Sequence, residues 1–186
     1  MSAKENRAGE CGFTLIELLV VIGIISILAG LIISFISTEP GKDAACKNNL
    51  RQIGLAFYQY QCDYGRYPWS NSPEPSDIFR LIAGKGRIDE PNMFRCLSCN
   101  QNEPDDYNEG NFILEPENVS YAVYAEPITD AAPSRTIMVA DAHWFEEDNQ
   151  GHPDHINVLQ KSGAVVEIKL RPGDKWEEAT GGKLKR

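Results

Sequence analysis

Residues 13–36 form an almost unbroken apolar run, without Lys, Arg, Asp or Pro, and its one ionisable side chain is Glu17. As a helix rising about 1.5 Å per residue, this run is long enough to cross a roughly 30 Å hydrocarbon core, so a membrane-spanning helix is predicted over 13–37. A secretory signal peptide has a shorter apolar region, about 7–15 residues, ending at a small-residue cleavage site on its far side. After Pro40-Gly41 the pattern changes. Cys46, Leu50, Ile53, Phe57, Tyr60 and Tyr64 recur at spacings of 4, 3, 4, 3 and 4, one face of an amphipathic helix over 38–65 that Gly65 and Pro68 close. Pro40 lacks an amide donor and Gly41 adds freedom, so this point kinks or ends the first helix; one long bent helix is the expectation.

From Asn71 to Asn118 the chain is rich in Pro, Asp, Asn and Glu, which predicts loop apart from a short helix at Ser76–Ile82 capped by Ser76 or Asp77. Strands are predicted at Val119–Ala125, Arg135–Asp141, Ile156–Gln160 and Ala164–Leu170, the last two joined by a tight turn at Lys161-Ser162-Gly163. Alternation in Ile156–Gln160 is imperfect, as in a strand buried on both faces. The fold class is therefore α+β: a long N-terminal helix, membrane-spanning in its first half and amphipathic in its second, packed on a small, mainly antiparallel sheet. The head spans 66–170 and a C-terminal tail 171–186, of which Thr180 to Arg186 reads as frayed.

With 186 residues, 42% hydrophobic and 24% charged, the chain accommodates one globular domain plus an anchor. A net charge of -9 argues against a nucleic-acid partner, because phosphate contact needs a basic surface and the only dense basic cluster is Lys183-Leu184-Lys185-Arg186. Lys4 and Arg7 in the short head before the apolar run favour a cytoplasmic N-terminus with everything after Ser37 outside, although Glu5 and Glu10 dilute the signal.

Glu17 is the position that needs a reason, since an unpaired carboxylate facing lipid is costly. Its setting, GFTLIE at Gly12 to Glu17, resembles the processing site of type IV prepilins and type II secretion pseudopilins. The resemblance implies that residues 1–12 are a leader, that prepilin peptidase cuts between Gly12 and Phe13, and that the new N-terminus of Phe13 is methylated. It also implies that Glu17, then the fifth residue, pairs with the Phe13 ammonium of a neighbouring subunit. Pairing would satisfy two costly groups together in one axial register, so the glutamate would specify assembly more than stability. The bland alternative is a plain signal anchor whose glutamate snorkels to the interface.

The similarity extends further. CKNNLRQIGLAFYQYQCDYGRYP at Cys46 to Pro68, FRC at Phe94 to Cys96, SYAVYA at Ser120 to Ala125 and PSRTIMVADA at Pro133 to Ala142 resemble the bacterial prepilin-type, processing-associated proteins with an H-x9-DG motif, the DUF1559-like family. Here His152 is followed after nine residues by Ser162-Gly163, so a serine stands where that family has its aspartate, and the family's usual proline within the apolar segment is missing before Pro40. The resemblance implies a pilin-like fold, and partners that include prepilin peptidase, other pilin or pseudopilin subunits, the assembly platform and the membrane.

Cys11 lies in the implied leader, which leaves Cys46, Cys62, Cys96 and Cys99. An even number in an exported head suggests disulfides, with three pairings open. Cys96-Leu97-Ser98-Cys99 has the C-x2-C spacing of a metal or redox pair, so metal binding and free thiols stand beside disulfides as readings. Cys46 and Cys62 on one continuous helix lie too far apart to bridge, by roughly 24 Å of rise. The stretch from Ala140 to His155 holds all three histidines; Asp141, His143, His152, Asp154 and His155 are candidate divalent-metal ligands there, against the plainer reading of a solvated loop.

The sequence contains no Gly-x-Ser-x-Gly elbow, no phosphate-cradling glycine loop and no His-Glu-x-x-His, so no enzyme is expected and no cofactor is required. The functional expectation is a pilin-like or pseudopilin subunit, cleaved and methylated, placed in the bacterial inner membrane and built into a pilus or secretion pseudopilus. The alternative is a singly anchored, non-polymerising envelope protein whose head binds a ligand or protein.

Overall fold

The computed structural model describes residues 14–36, 38–72, 74–84, 87–99, 112–141, 152, 154–171, 180–181 and 184–185. Two units make up the chain, one reaching to Thr38 and the other from Glu39 to Arg186. The first contains helix α1, Leu15–Ile36. Its leucines, isoleucines and valines from Leu15 to Ile33 are solvent-exposed, a surface that water does not tolerate and lipid or partner helices do. Its two serines bond within the helix, Ser26 Oγ donating to the Ile22 carbonyl (2.8 Å) and Ser34 Oγ to the Gly30 carbonyl (3.0 Å), which removes their polarity from an apolar surround.

The second unit begins with α2, Glu39–Tyr64. The expected single bent helix is thus two helices. Pro40 explains the position of the break: its missing N–H would have bonded the carbonyl of Ile36, the last residue of α1, whereas at the second position of α2 no donor is needed. Cys46, Leu50, Ile53, Ala56, Phe57 and Tyr60 are buried along the inner face of α2. Tyr64, counted with them in the periodic pattern, is exposed; its ring packs on Tyr60 (4.4 Å between centroids) and Arg87 lies over both.

Helix α3, Pro75–Arg80, starts after Glu74 with Pro75 in its first turn, so neither Ser76 nor Asp77 is the cap; Asp77 instead pairs with Arg80 at 2.6 Å. The strands are β1 Ala122–Tyr124, β2 Ile137–Ala140, β3 His155–Gln160, β4 Val165–Lys169 and β5 Leu184–Lys185. They form one antiparallel sheet in the order β4-β3-β2-β1-β5. An apolar helix, a second helix and an antiparallel sheet make this the α+β pilin-like fold that the sequence predicts. The frayed tail needs correcting at Leu184–Lys185, which pair with Tyr124 and Val123 and cover the β1 edge, with Leu184 buried.

Packing centres on Phe57, whose ring meets Phe79 at 6.3 Å and Tyr124 edge-on at 6.1 Å, while Phe79 continues to Phe94 at 5.3 Å. The hydroxyl of Tyr124 donates to the Pro68 carbonyl, and Trp69 stacks on the same ring at 5.9 Å. β3 is buried from Ile156 to Leu159, so the imperfect alternation does reflect two covered faces. At Gly54 the helix comes closest to β3: an added Cβ would stand 3.0 Å from Leu159 Cδ1 and 3.3 Å from Cδ2. Gly54→Val is expected to destabilise the head by about 1–3 kcal/mol through overpacking. Gly54→Ala should be near neutral, because a helix-propensity gain of about 1 kcal/mol offsets the milder crowding. Urea titration of both variants distinguishes these outcomes.

Candidate functional site

Two places collect the chemistry. At the start of α1, Thr14 and Glu17 bond reciprocally: Thr14 N–H donates to Glu17 Oε2 (2.9 Å), Thr14 Oγ1 donates to the same oxygen (2.7 Å), and Glu17 N–H donates to Thr14 Oγ1 at 3.3 Å. This is a capping box, in which an acid three residues after the cap satisfies the otherwise orphaned cap amide. Thr-x-x-Glu before an apolar run is the sequence signature of that cap, a role distinct from both the assembly and the snorkelling expectations for Glu17. A carboxylate already held by its own chain is less costly in an apolar surround than a bare one. Gly12 and Phe13, the implied cleavage and methylation positions, lie outside the described residues, as does the whole stretch 1–12.

In the head, α2, the turn after Phe94, the end of β2 and the start of β3 converge. Cys46 of α2 forms a disulfide with Cys96, Cα to Cα 5.2 Å across 50 residues of sequence. Beside it are the buried Asp141, which follows β2, and the buried His152. His152 Nε2 stands 3.5 Å from Cys96 Sγ, 3.5 Å from Asp141 Oδ2 and 3.9 Å from Asp43 Oδ1. His155, the first residue of β3, places its Nε2 3.0 Å from the same Asp43 oxygen. The two imidazoles stack at 4.6 Å between ring centroids. Asn157, two residues on and hence on the same face of β3, links the carboxylates: its Nδ2 donates to Asp43 Oδ1 and to Asp141 Oδ2, each at 2.7 Å, and its main-chain N–H donates to Asp141 Oδ1.

The electrostatics divide the two acids. Burial opposes ionisation of Asp43, but hydrogen bonds from Lys47, Asn157 and His155 outweigh it and hold the carboxyl at about 2. Burial dominates at Asp141 and pushes it up to about 7 despite the donors from Asn157. The histidines divide likewise. Burial, then the charge of His155, lowers His152; at His155 burial is overcome by hydrogen bonds to Asp154 and Asp43, and the ring is raised.

Of the sequence candidates, Cys46, Cys96, Asp141, His152 and His155 are thus brought together. Asp154 reaches only the outer nitrogen of His155, at 2.7 Å. Cys62 is a free, exposed thiol; Cys99 is free and half-buried, and burial pushes it up to about 11, so the C-x2-C pair is divided between a disulfide and a lone thiol. His143 lies outside the described residues. Asp43, Ser98 and Asn157 were missed, and no local pattern marks them: Asp43 is one charge on a helix 112 residues before His155.

The H-x9-DG-like residues do not form one site. His152 sits in the cluster, whereas Ser162-Gly163 make the hairpin turn at the other end of β3, about 20 Å away at the rise of a strand. Gly163 has φ 81° and donates to the Gln160 carbonyl, and Ser162 Oγ accepts the Ala164 N–H at 3.4 Å, a local turn bond that serine and aspartate both make.

Comparison with known proteins matches two stretches of the chain. Residues 7–33 match a family described as prokaryotic N-terminal methylation motif, and residues 42–152 match one described as protein of unknown function (DUF1559). The type II secretion system core protein G of Pseudomonas aeruginosa is 36% identical over 65 residues, which is 34% of this chain and 46% of that protein. The chain thus spans less than half the length of that curated relative. No solved structure matches.

Proposed function

Because the chain belongs to the DUF1559 family and carries a prepilin methylation motif on an apolar helix that marks it as a membrane-anchored, pilin-like protein, we propose that it is a prepilin peptidase substrate, cut between Gly12 and Phe13 and methylated on Phe13. The trimmed subunit then assembles through α1, with other pilin-like subunits and the assembly platform, into a pilus or a secretion pseudopilus. Its role is structural rather than catalytic. The observation that carries this reading is Glu17, the one ionisable group on an otherwise apolar, exposed helix and placed in its first turn. Assembly would hand the carboxylate from its own cap amide to the Phe13 ammonium of a neighbour. The disulfide Cys46–Cys96 supports a head outside the cytoplasm in the inner membrane, since such bonds persist in oxidising compartments.

The test is the N-terminus and intact mass of the protein from its native envelope, followed by shearing and pelleting of filaments. A methylated Phe13 start is expected; a chain still starting at Met1 in cells with an active peptidase overturns the reading. Glu17→Gln then separates the two roles of the side chain, because glutamine at this position still completes a capping box but carries no charge. The variant is expected to be processed and inserted yet absent from sheared filaments. Wild-type yields of sheared filament from Glu17→Gln would make Glu17 a helix cap only, and a processed wild-type chain that never leaves the membrane would be a singly anchored envelope protein.

A further inference from the structure

We propose that Asp43, His152 and His155 form a binding site in the head for one divalent cation of the zinc class, their three ligand atoms lying within 4.8 Å of one another. The inference does not depend on the assembly role of α1, and nothing in the relatives' descriptions assigns it.

The first argument is the direction of the ring nitrogens. Each histidine has its Nδ1 engaged outward, His155 with Asp154 Oδ1 at 2.7 Å and His152 with Ser98 Oγ at 3.4 Å. Each then presents Nε2 inward to Asp43 Oδ1. Metal-bound histidines are held in this way, the outer N–H fixing the tautomer and leaving the inner lone pair for the ion.

Spacing is the second argument. Zinc binds imidazole nitrogen and carboxylate oxygen at 2.0–2.2 Å, so neighbouring ligand atoms around a tetrahedral ion are about 3.3 Å apart. The separations from Asp43 Oδ1, 3.0 Å to His155 Nε2 and 3.9 Å to His152 Nε2, lie on either side of that edge. Asn157 keeps the two carboxylates together through one amide nitrogen, and its Oδ1, in a fully buried residue, has no hydrogen-bond partner among the described residues.

The donor set selects the ion. Two imidazoles and one carboxylate suit zinc and its neighbours, whereas calcium takes six to eight oxygens. With Cys46 and Cys96 joined to each other, their sulfurs wall the site and are not ligands. The ion would tie the first turns of α2 to the β3 start, next to the point where the head leaves the apolar segment in sequence.

The experiment uses the untagged full chain in detergent micelles, disulfide intact, stripped with a chelator and dialysed against zinc chloride, with metal measured per chain. One zinc per chain is expected. Asp154→Asn, which changes an exposed outer partner and leaves all three ligands in place, is expected to weaken binding by about 10–100-fold. The double variant His152→Ala, His155→Ala is expected to take up none. Cobalt substitution of the wild-type protein provides a readout that no variant's folding can compromise: a tetrahedral nitrogen and oxygen spectrum is expected. No zinc on the wild-type protein, full uptake by the double variant, or a thiolate-to-cobalt charge-transfer band would each overturn the site.

Discussion

Replacing Cys46 and Cys96 together by alanine is expected to lower the stability of the head by about 4 kcal/mol, the chain-entropy value for a closed loop of this length. The bridge spans 50 residues and joins the first third of α2 to the turn after Phe94, so without it the unfolded chain gains the freedom of the closed segment 46–96. Both half-cystines are buried, and two alanines leave a small void that adds to the loss. Guanidinium titration of the full chain in micelles, followed by tryptophan fluorescence, measures the change, because Trp69 reports on the Tyr124 ring it stacks against. Reduction of the wild-type protein is expected to give the same shift. A loss below about 1 kcal/mol would mean that the unfolded state is already compact across that loop.

Phe57→Ala is expected to cost about 3–5 kcal/mol, the range for emptying a buried aromatic site. Phe57 is fully buried, and it joins α2, α3 and β1 through its contacts with Phe79 and Tyr124, so its removal leaves three elements lining a cavity that none can fill alone. Leu55→Ala on the exposed face of the same helix is the control, expected within about 0.5 kcal/mol of wild type. Cys46 and Phe57 are eleven residues apart on α2, about 16 Å along its axis, so the two losses should add. Their sum, about 7–9 kcal/mol, is comparable to the whole stability of a domain, and the triple variant is expected not to hold its fold. A Phe57→Ala loss no larger than that of Leu55→Ala would place the core elsewhere.

Most elements were legible along the chain. The burial of Cys46, Leu50, Ile53, Phe57 and Tyr60 follows from helical spacing, because a face that repeats every three or four residues must be covered. Tyr64 departs from that pattern since the helix ends there, at the margin of the covered surface, where an aromatic ring packs on a neighbour and remains wet. Three of the four longer strands fall inside the predicted segments, shorter by two to four residues because apolar runs extend past the last ladder bond, whereas β3 starts one residue before its predicted segment, at His155. β5 was not legible: two residues in a polar, glycine-flanked tail carry no period, and only the open β1 edge gives them a partner.

The sequence by itself determined what is encoded within a few residues: an apolar run long enough for a membrane, the Gly-Phe-Thr-Leu-Ile-Glu processing signature, the buried stripe of α2, and the Ser162-Gly163 turn. Each depends on backbone geometry and local side-chain pattern, which neighbours in sequence suffice to specify. Only the tertiary structure decided that Cys46 bonds Cys96 while Cys62 and Cys99 stay free, that Asp43 joins histidines more than a hundred residues later, and that His152 and the Ser162-Gly163 turn belong to opposite ends of one strand. Those relations follow from how α2 lies on β3, with Gly54 against Leu159 and Asp43 beside His155 and Asn157. Packing register of this kind emerges from the sum of many weak contacts and leaves no mark on any one stretch of the chain.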